Sequence, residues 1–177
     1  MLNRDTKKIL STALIQGHVD YASTSWYYSL GSTLKNKLQV VQNKMARFIL
    51  TKGPRDHIGY SELKSIGFLS SQDRVTQLSM NMVHSIFYGK CPEYMKTFFT
   101  KIRDVHSYNN RGSSYNFHVP KINTITAKTF YYNAITLWNS LPDNVKSLEN
   151  KDSFKKSLKS HLFSQGLLRE TATVVTY

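Results

Sequence analysis

Cysteine is almost missing from this sequence, and acidic residues are scarce. Cys91 is the one thiol in 177 residues, which excludes a disulfide framework or a cysteine-based metal site and fits a reducing compartment. Between Lys90 and Pro92, with no placed histidine base, it reads as an inert thiol. The 11 acids are scattered singly, with no Asp-Asp pair and no Asp-x-Asp, so the convergent carboxylates of two-metal polynucleotide chemistry are not legible. The histidines at 18, 57, 84, 106, 118 and 161 form no His-x-x-x-His pair, which argues against zinc. His18 and Asp20 lie near serines, but no Gly-x-Ser-x-Gly elbow accompanies them, so no hydrolase triad is expected. Phosphate-cradling glycine loops are missing too. No catalytic residue, metal or cofactor is therefore expected.

Long apolar runs are also lacking. The stretch Met1 to Leu10 interleaves Arg4, Asp5, Lys7 and Lys8 with apolar residues, unlike a signal peptide, and no later stretch reaches the length of a membrane span. A nuclear or cytoplasmic protein is expected, without a membrane partner.

Positive charge and aromatic rings are what the chain has in quantity. Lys and Arg number 24, giving a formal net charge of +13 and a pI near 9.8. Nucleic acid is the favoured polyanion, because basic side chains neutralise phosphates and release their counterions, although an acidic protein or membrane surface offers the same attraction. Eleven Tyr and nine Phe supply bulky groups to bury, so the chain is expected to fold, as one domain or two small helical ones.

Residues near 5–16 have the period of a helix, capped by Asp5 or Thr6, with Ile9, Leu10, Ala13 and Leu14 inward and Gly17 as its end. Residues 18–28 read as a short helix or an ordered connector. From Ser32 or Thr33 as cap to Gly53-Pro54 as stop, Leu34, Leu38, Val41, Met45 and Phe48 form one apolar stripe, with Lys37, Lys44 and Arg47 along its flank. A helical turn at 61–66 precedes a helix capped by Ser70 or Ser71 and ended by Gly89. Its near-uncharged run from Val75 to Tyr88 marks it as central. Pro92 and Glu93 open a short helix through Phe99. Residues 103–125 turn polar, and the alternation of Tyr115, Phe117 and Val119 favours a small hairpin ending at Pro120. Thr126 then caps a helix with Phe130, Ala134, Leu137 and Trp138 inward, broken at Asn139 to Pro142. A last helix spans about 152–163, with Phe154, Leu158 and Leu162 on one side and Lys155, Lys156 and Lys159 on the other.

Particular words add to this pattern. Ala13-Leu-Ile-Gln-Gly-His-Val-Asp-Tyr21 to Trp26, then Leu38-Gln-Val-Val-Gln-Asn-Lys-Met-Ala-Arg47, are followed by Arg111, Val119-Pro120, Thr124, Ala134, Leu137-Trp-Asn-Ser-Leu-Pro142, Val145 and Phe154-Lys-x-x-Leu158. This ordered set resembles the thumb and post-thumb region of LINE-type (non-LTR) retrotransposon reverse transcriptases. The resemblance implies a helical thumb that grips primer–template duplex. It also implies a parent RNA-directed DNA polymerase whose palm, with its Tyr-x-Asp-Asp motif, and endonuclease lie upstream, so that this chain alone is not an enzyme.

The expected fold is mainly α: a thumb-like helical bundle over residues 1–100, then a C-terminal region over 101–177 with a short β-hairpin and two helices. The expected function is non-catalytic binding of an RNA–DNA or DNA duplex backbone, with the upstream polymerase domain as a further partner. Lys37, Lys44, Arg47, Lys52, Arg55, Lys155, Lys156 and Lys159 are the candidate contacts. The rival reading is a helical interaction module whose basic faces dock an acidic protein.

Overall fold

The structure, a computed structural model, describes residues 2–105, 114–121 and 128–174, the last three by backbone alone. In chain order the elements are α1 (Arg4–Ser11), a π-helical turn (Thr12–Gln16), α2 (Gly17–Asp20), α3 (Ser23–Trp26), a 3-10 turn (Tyr27–Ser29), α4 (Ser32–Leu50), α5 (Tyr60–Ser65), α6 (Ser71–Phe87), α7 (Glu93–Lys96), α8 (Ile102–Val105), α9 (Phe130–Ser140), α10 (Asp143–Lys146) and α11 (Lys151–Val174). The fold is mainly α. Two compact units divide it: residues 1–23, 30–75 and 160–177 form the first, residues 24–29 and 76–159 the second.

The first unit opens with a helix whose faces are inverted relative to expectation. Asn3, not Asp5 or Thr6, caps α1, its Oδ1 accepting the Thr6 N–H at 2.8 Å. Lys7, Ser11 and Gln16 are buried, whereas Ile9 and Leu14 are 68% and 65% exposed and Leu10 and Ala13 are exposed as well. The cause is polar anchoring. Arg4 donates to the Ser65 carbonyl at 2.8 Å, Lys7 Nζ to Thr51 Oγ1 at 2.7 Å, and Gln16 Nε2 to Asp20 Oδ1 at 2.7 Å. Asp20 in turn holds the Arg74 guanidinium at 2.7 Å. Because a π turn closes i to i+5, Gln16 stays on the face of Ser11, and Leu14 and Ile15 stay outside. Gly17 does not end the segment, which runs on through α2.

α4 is also rotated from its expected seating. Its buried residues are Gln42, Met45, Ala46 and Ile49, while Leu34, Val41 and Phe48 remain exposed. At about 100° per residue this face lies roughly 70° from the apolar stripe. Two glutamines set the rotation: Gln42 Nε2 donates to the Leu69 carbonyl at 3.0 Å, and Gln39 Oε1 accepts from Ser71 N–H at 2.9 Å and Ser71 Oγ at 3.0 Å. These bonds seat the loop before α6, whose N-cap is Ser70, its Oγ accepting from Asp73 N–H at 3.1 Å. Gly31, not Ser32 or Thr33, is the N-cap of α4. Its end comes at Thr51, before Gly53-Pro54, in the left-handed region (φ 56) that a β-branched residue seldom enters. The Lys7 bond to Thr51 holds it there. Ala46, Ile49, Ile58, Leu63 and Ile66 form the core beneath, flanked by Leu50 and Phe68.

The second unit is packed on rings. Phe87 of α6 lies 5.5 Å from both Phe117 and Trp138, and Phe99 lies 5.4 Å from Phe117 (centroid distances). Trp138, Phe154, Leu158 and Ala134 are fully buried, and just past the end of α6 Gly89 (φ +70) turns the chain, so that Lys90 N–H reaches back to the Ser85 carbonyl at 2.7 Å. The expected β-hairpin is not seen. Among the described residues, Phe117 makes a single antiparallel bridge with Lys101, through Ile102 N–H to Asn116 O at 3.1 Å and His118 N–H to Thr100 O at 2.8 Å. Side chains of α9 take the place of a second strand. Asn139 Oδ1 accepts the Phe117 N–H at 2.9 Å, Asn139 Nδ2 donates to the Phe117 carbonyl at 2.8 Å, and the Trp138 indole donates to the Tyr115 carbonyl at 2.7 Å. Phe117 points inward as alternation requires, but Val119 is exposed. The α9 helix starts after Thr129; the expected cap Thr126 lies outside the described residues, as do Arg111 and Thr124.

Two further elements differ in extent. The helix after Pro92 stops at Lys96, three residues before Phe99. α11 continues well beyond Phe163, to Val174, passing through Gly166.

Candidate nucleic-acid interface

The 19 residues of α4 contain Lys35, Lys37, Lys44 and Arg47 and no acid. No acid of the helix itself stands at i±3 or i±4 to offset Lys37 or Lys44. Lys37 and Lys44, two turns apart and nearly in line, are both exposed.

Arg47 has a different setting. It is half-buried, and its Nε donates to the Asp56 carbonyl at 2.8 Å. Asp56 Oδ2 accepts the Gly53 N–H at 2.7 Å, closing the turn that carries exposed Arg55. Lys52 pairs with Glu62 Oε1 at 3.0 Å. Hydrogen bonds from Lys52, from the Ser61 hydroxyl and from backbone N–H groups, including that of Gly59, hold the Glu62 carboxyl down at about 2. The structure thus gathers Arg47, Lys52 and Arg55 at the C-terminal end of α4, with Lys37 and Lys44 along the helix. Of these, Arg47 and Lys52 have structural partners that an incoming phosphate must share or displace.

Lys155, Lys156 and Lys159 belong to the second unit, on α11. Lys155 reaches Asp152 at 3.3 Å, Lys156 is exposed, and Lys159 is half-buried.

Beside the α4 lysines runs a groove of about 430 Å³, lined by Leu10, Ser11, Leu14 and Ile15 on one wall and Val41, Lys44, Met45 and Phe48 on the other. Periodicity assigned most of these apolar residues to a core. The signal that would have found the groove is the polar series Lys7, Ser11 and Gln16, spaced by four and five, which marks the inward face.

The words that carry the family resemblance have structural roles. Gln39 and Gln42 seat the α4–α6 connection, Asn43 Oδ1 accepts from Gln39 Nε2 at 2.9 Å, Trp138 and Asn139 brace residues 115–117, and Pro142 starts α10. Asp20, beside His18, is taken up by Gln16 and Arg74. Among the described residues, no three His, Cys, Asp or Glu side chains gather as a metal site, and no helix is long and apolar enough to cross a membrane. Compared with family models, curated proteins and solved structures, the chain gives no match.

Proposed function

We propose that the chain binds a nucleic-acid duplex through its phosphate backbone, as the thumb and post-thumb region of a LINE-type reverse transcriptase, and contributes grip to RNA-templated DNA synthesis without chemistry of its own. The observation that carries this reading is the exposure of Lys37 and Lys44 on a helix that contains no acid. A rigid helix can lay such a flank along phosphates, which fixes position and orientation but reads no base sequence. Arg55 on the adjoining turn extends the same contact. The net charge of +13 adds a long-range attraction that speeds encounter at low salt.

The test is a titration of DNA duplex and RNA–DNA hybrid, in several sequences, at rising salt. Binding should be indifferent to sequence and fall steeply with salt. The double variant Lys37→Ala, Lys44→Ala should bind about tenfold more weakly, with the slope of log affinity against log salt reduced by about two. Absence of binding at low salt overturns the proposal. Unchanged affinity in the double variant with an intact melting transition removes α4 as the contact.

A further inference from the structure

An α-helix in water is expected to bury its apolar side, yet the first helix of this chain does the reverse. Lys7 and Ser11 face the unit and are buried, while Ile9 and Leu14 are about two-thirds exposed. Across the groove Val41 and Phe48 stand 37% and 47% exposed. Leu10, Leu14 and Ile15 face Val41, Met45 and Phe48 across the groove, and an apolar trough left open to water in this way marks a site of interaction.

Charge and shape select the occupant. Lys44 is the one charged residue lining the groove, and Lys37 lies two turns before it on the same side of α4. The helices that form its walls, α1 with its π turn and α4, carry Arg4, Lys8, Lys35, Lys37, Lys44 and Arg47 besides the inward-facing Lys7, against Asp5 alone. A second copy of the chain would bring Lys44 against the like-charged rim of its mate under a net charge of +13 on each. A trough between two helices accepts a ridge of side chains better than it meets the plane of a bilayer.

We propose that this groove is the docking site for an amphipathic helix of a partner protein, with an apolar ridge of Leu-like residues at i, i+3, i+4 and i+7 and Glu or Asp along the edge that meets Lys44. The inference stands without the duplex-binding reading, although Lys44 serves both: it rests on the inverted helix and uses apolar contact as its main source of affinity.

The test titrates the full chain with a fluorescent, lactam-stapled peptide of about 15 residues bearing that leucine pattern with glutamates on its flanks. Saturable binding is expected, with methyl NMR shifts confined to Leu10, Leu14, Ile15 and Val41. The same peptide with lysine flanks should bind about tenfold more weakly, and Lys44→Glu should invert the preference. Leu14→Ser with Val41→Ser should abolish peptide binding while leaving the melting transition and the affinity for duplex unchanged, because both positions are exposed and neither change alters the charge beside Lys37 and Lys44. Equal binding of the two peptides, or shifts elsewhere on the chain, overturns the proposal. So does Leu14-dependent sedimentation with phosphatidylcholine vesicles holding about one-fifth phosphatidylserine, which would identify a lipid surface. A chain dimer that Leu14→Glu dissolves would identify a second copy and overturn it equally.

Discussion

Arg169 donates from Nη2 to Asp73 Oδ1 at 2.7 Å and ties the C-terminal part of α11 to the first turn of α6. The pair is unequal, since the Asp73 side chain is 4% exposed and that of Arg169 52%. Burial pushes the Asp73 carboxyl above its ordinary 3.8, and Arg169 opposes that rise. Arg169→Ala should therefore cost about 2 kcal/mol at neutral pH, more than a surface pair contributes, because it leaves a buried charge without its partner. A carboxyl with a raised folded pKa weakens the fold only where it must ionise. The deficit should shrink as pH falls through that folded value and vanish below 3.8, where both states are protonated. Urea titrations at neutral and acid pH measure it, and a deficit constant with pH would refute the account.

His84 should impose the opposite trend. It is fully buried, stacks on Phe154 at 4.2 Å, and donates from Nε2 to the Leu148 carbonyl at 2.7 Å, while Nδ1 has no partner. Desolvation first, then the positive charges of Lys90 and Lys151, lower its pKa below 6.5, against the Leu148 carbonyl bond and Glu149, which raise it. The stability contributed by the neutral ring is complete above 6.5 and is lost as pH falls through 6.5 toward the lowered folded value. The melting temperature should drop between pH 7 and about pH 5, and His84→Gln should flatten that slope.

Gly166 sits inside α11, where Ala would ordinarily add about 1 kcal/mol of helix propensity. Here a Cβ would overlap the Tyr60 ring. Gly166→Ala should be destabilising by about 1–3 kcal/mol despite that propensity, and the penalty should disappear in a Tyr60→Ala background. Thermal melts of the four proteins in this cycle decide it.

Asn139→Ala removes both partners of the Phe117 backbone. Leaving an N–H and a carbonyl unpaired beside the ring core should cost about 2–4 kcal/mol, and the Phe117 amide should lose its protection in hydrogen exchange. An unchanged exchange rate would mean that the single bridge to Lys101 holds this segment without help.

Helix existence was legible in the sequence and helix orientation was not. Ser32 to Leu50 is periodic enough to announce a long helix, yet period alone assigns the inward side to the apolar residues. It has no means of knowing that Gln39 and Gln42 find carbonyl and hydroxyl partners on the chain before α6. The same blindness inverted α1, where Lys7 and Gln16 have partners far along or beyond their own turn. The hairpin failed for a related reason: alternation at 115–119 reports a buried extended segment, and the partner of that segment came from side chains of α9. Gly166 was opaque because its reason lies 106 positions away, at Tyr60. For the candidate contacts, residue type was readable, but the ties of Arg47 to Asp56 and of Lys52 to Glu62 depend on how the chain turns after α4, where Asp56 Oδ2 accepts the Gly53 N–H.

The π turn at Thr12–Gln16 has an implication for how this chain tolerates changes of length. An α-helix that gains one residue between two fixed points has no room to rotate and bulges instead. Lys7 and Ser11 fix the near point, Gln16 and Asp20 the far one. Deleting Ala13 should let the segment relax to plain α-helix with Gln16 still over Ser11 and the grip on Arg74 intact. Only the wall bearing Leu14 and Ile15 would flatten. A single codon there adjusts the relief of the exposed face and leaves the threading of everything after Asp20 as it was.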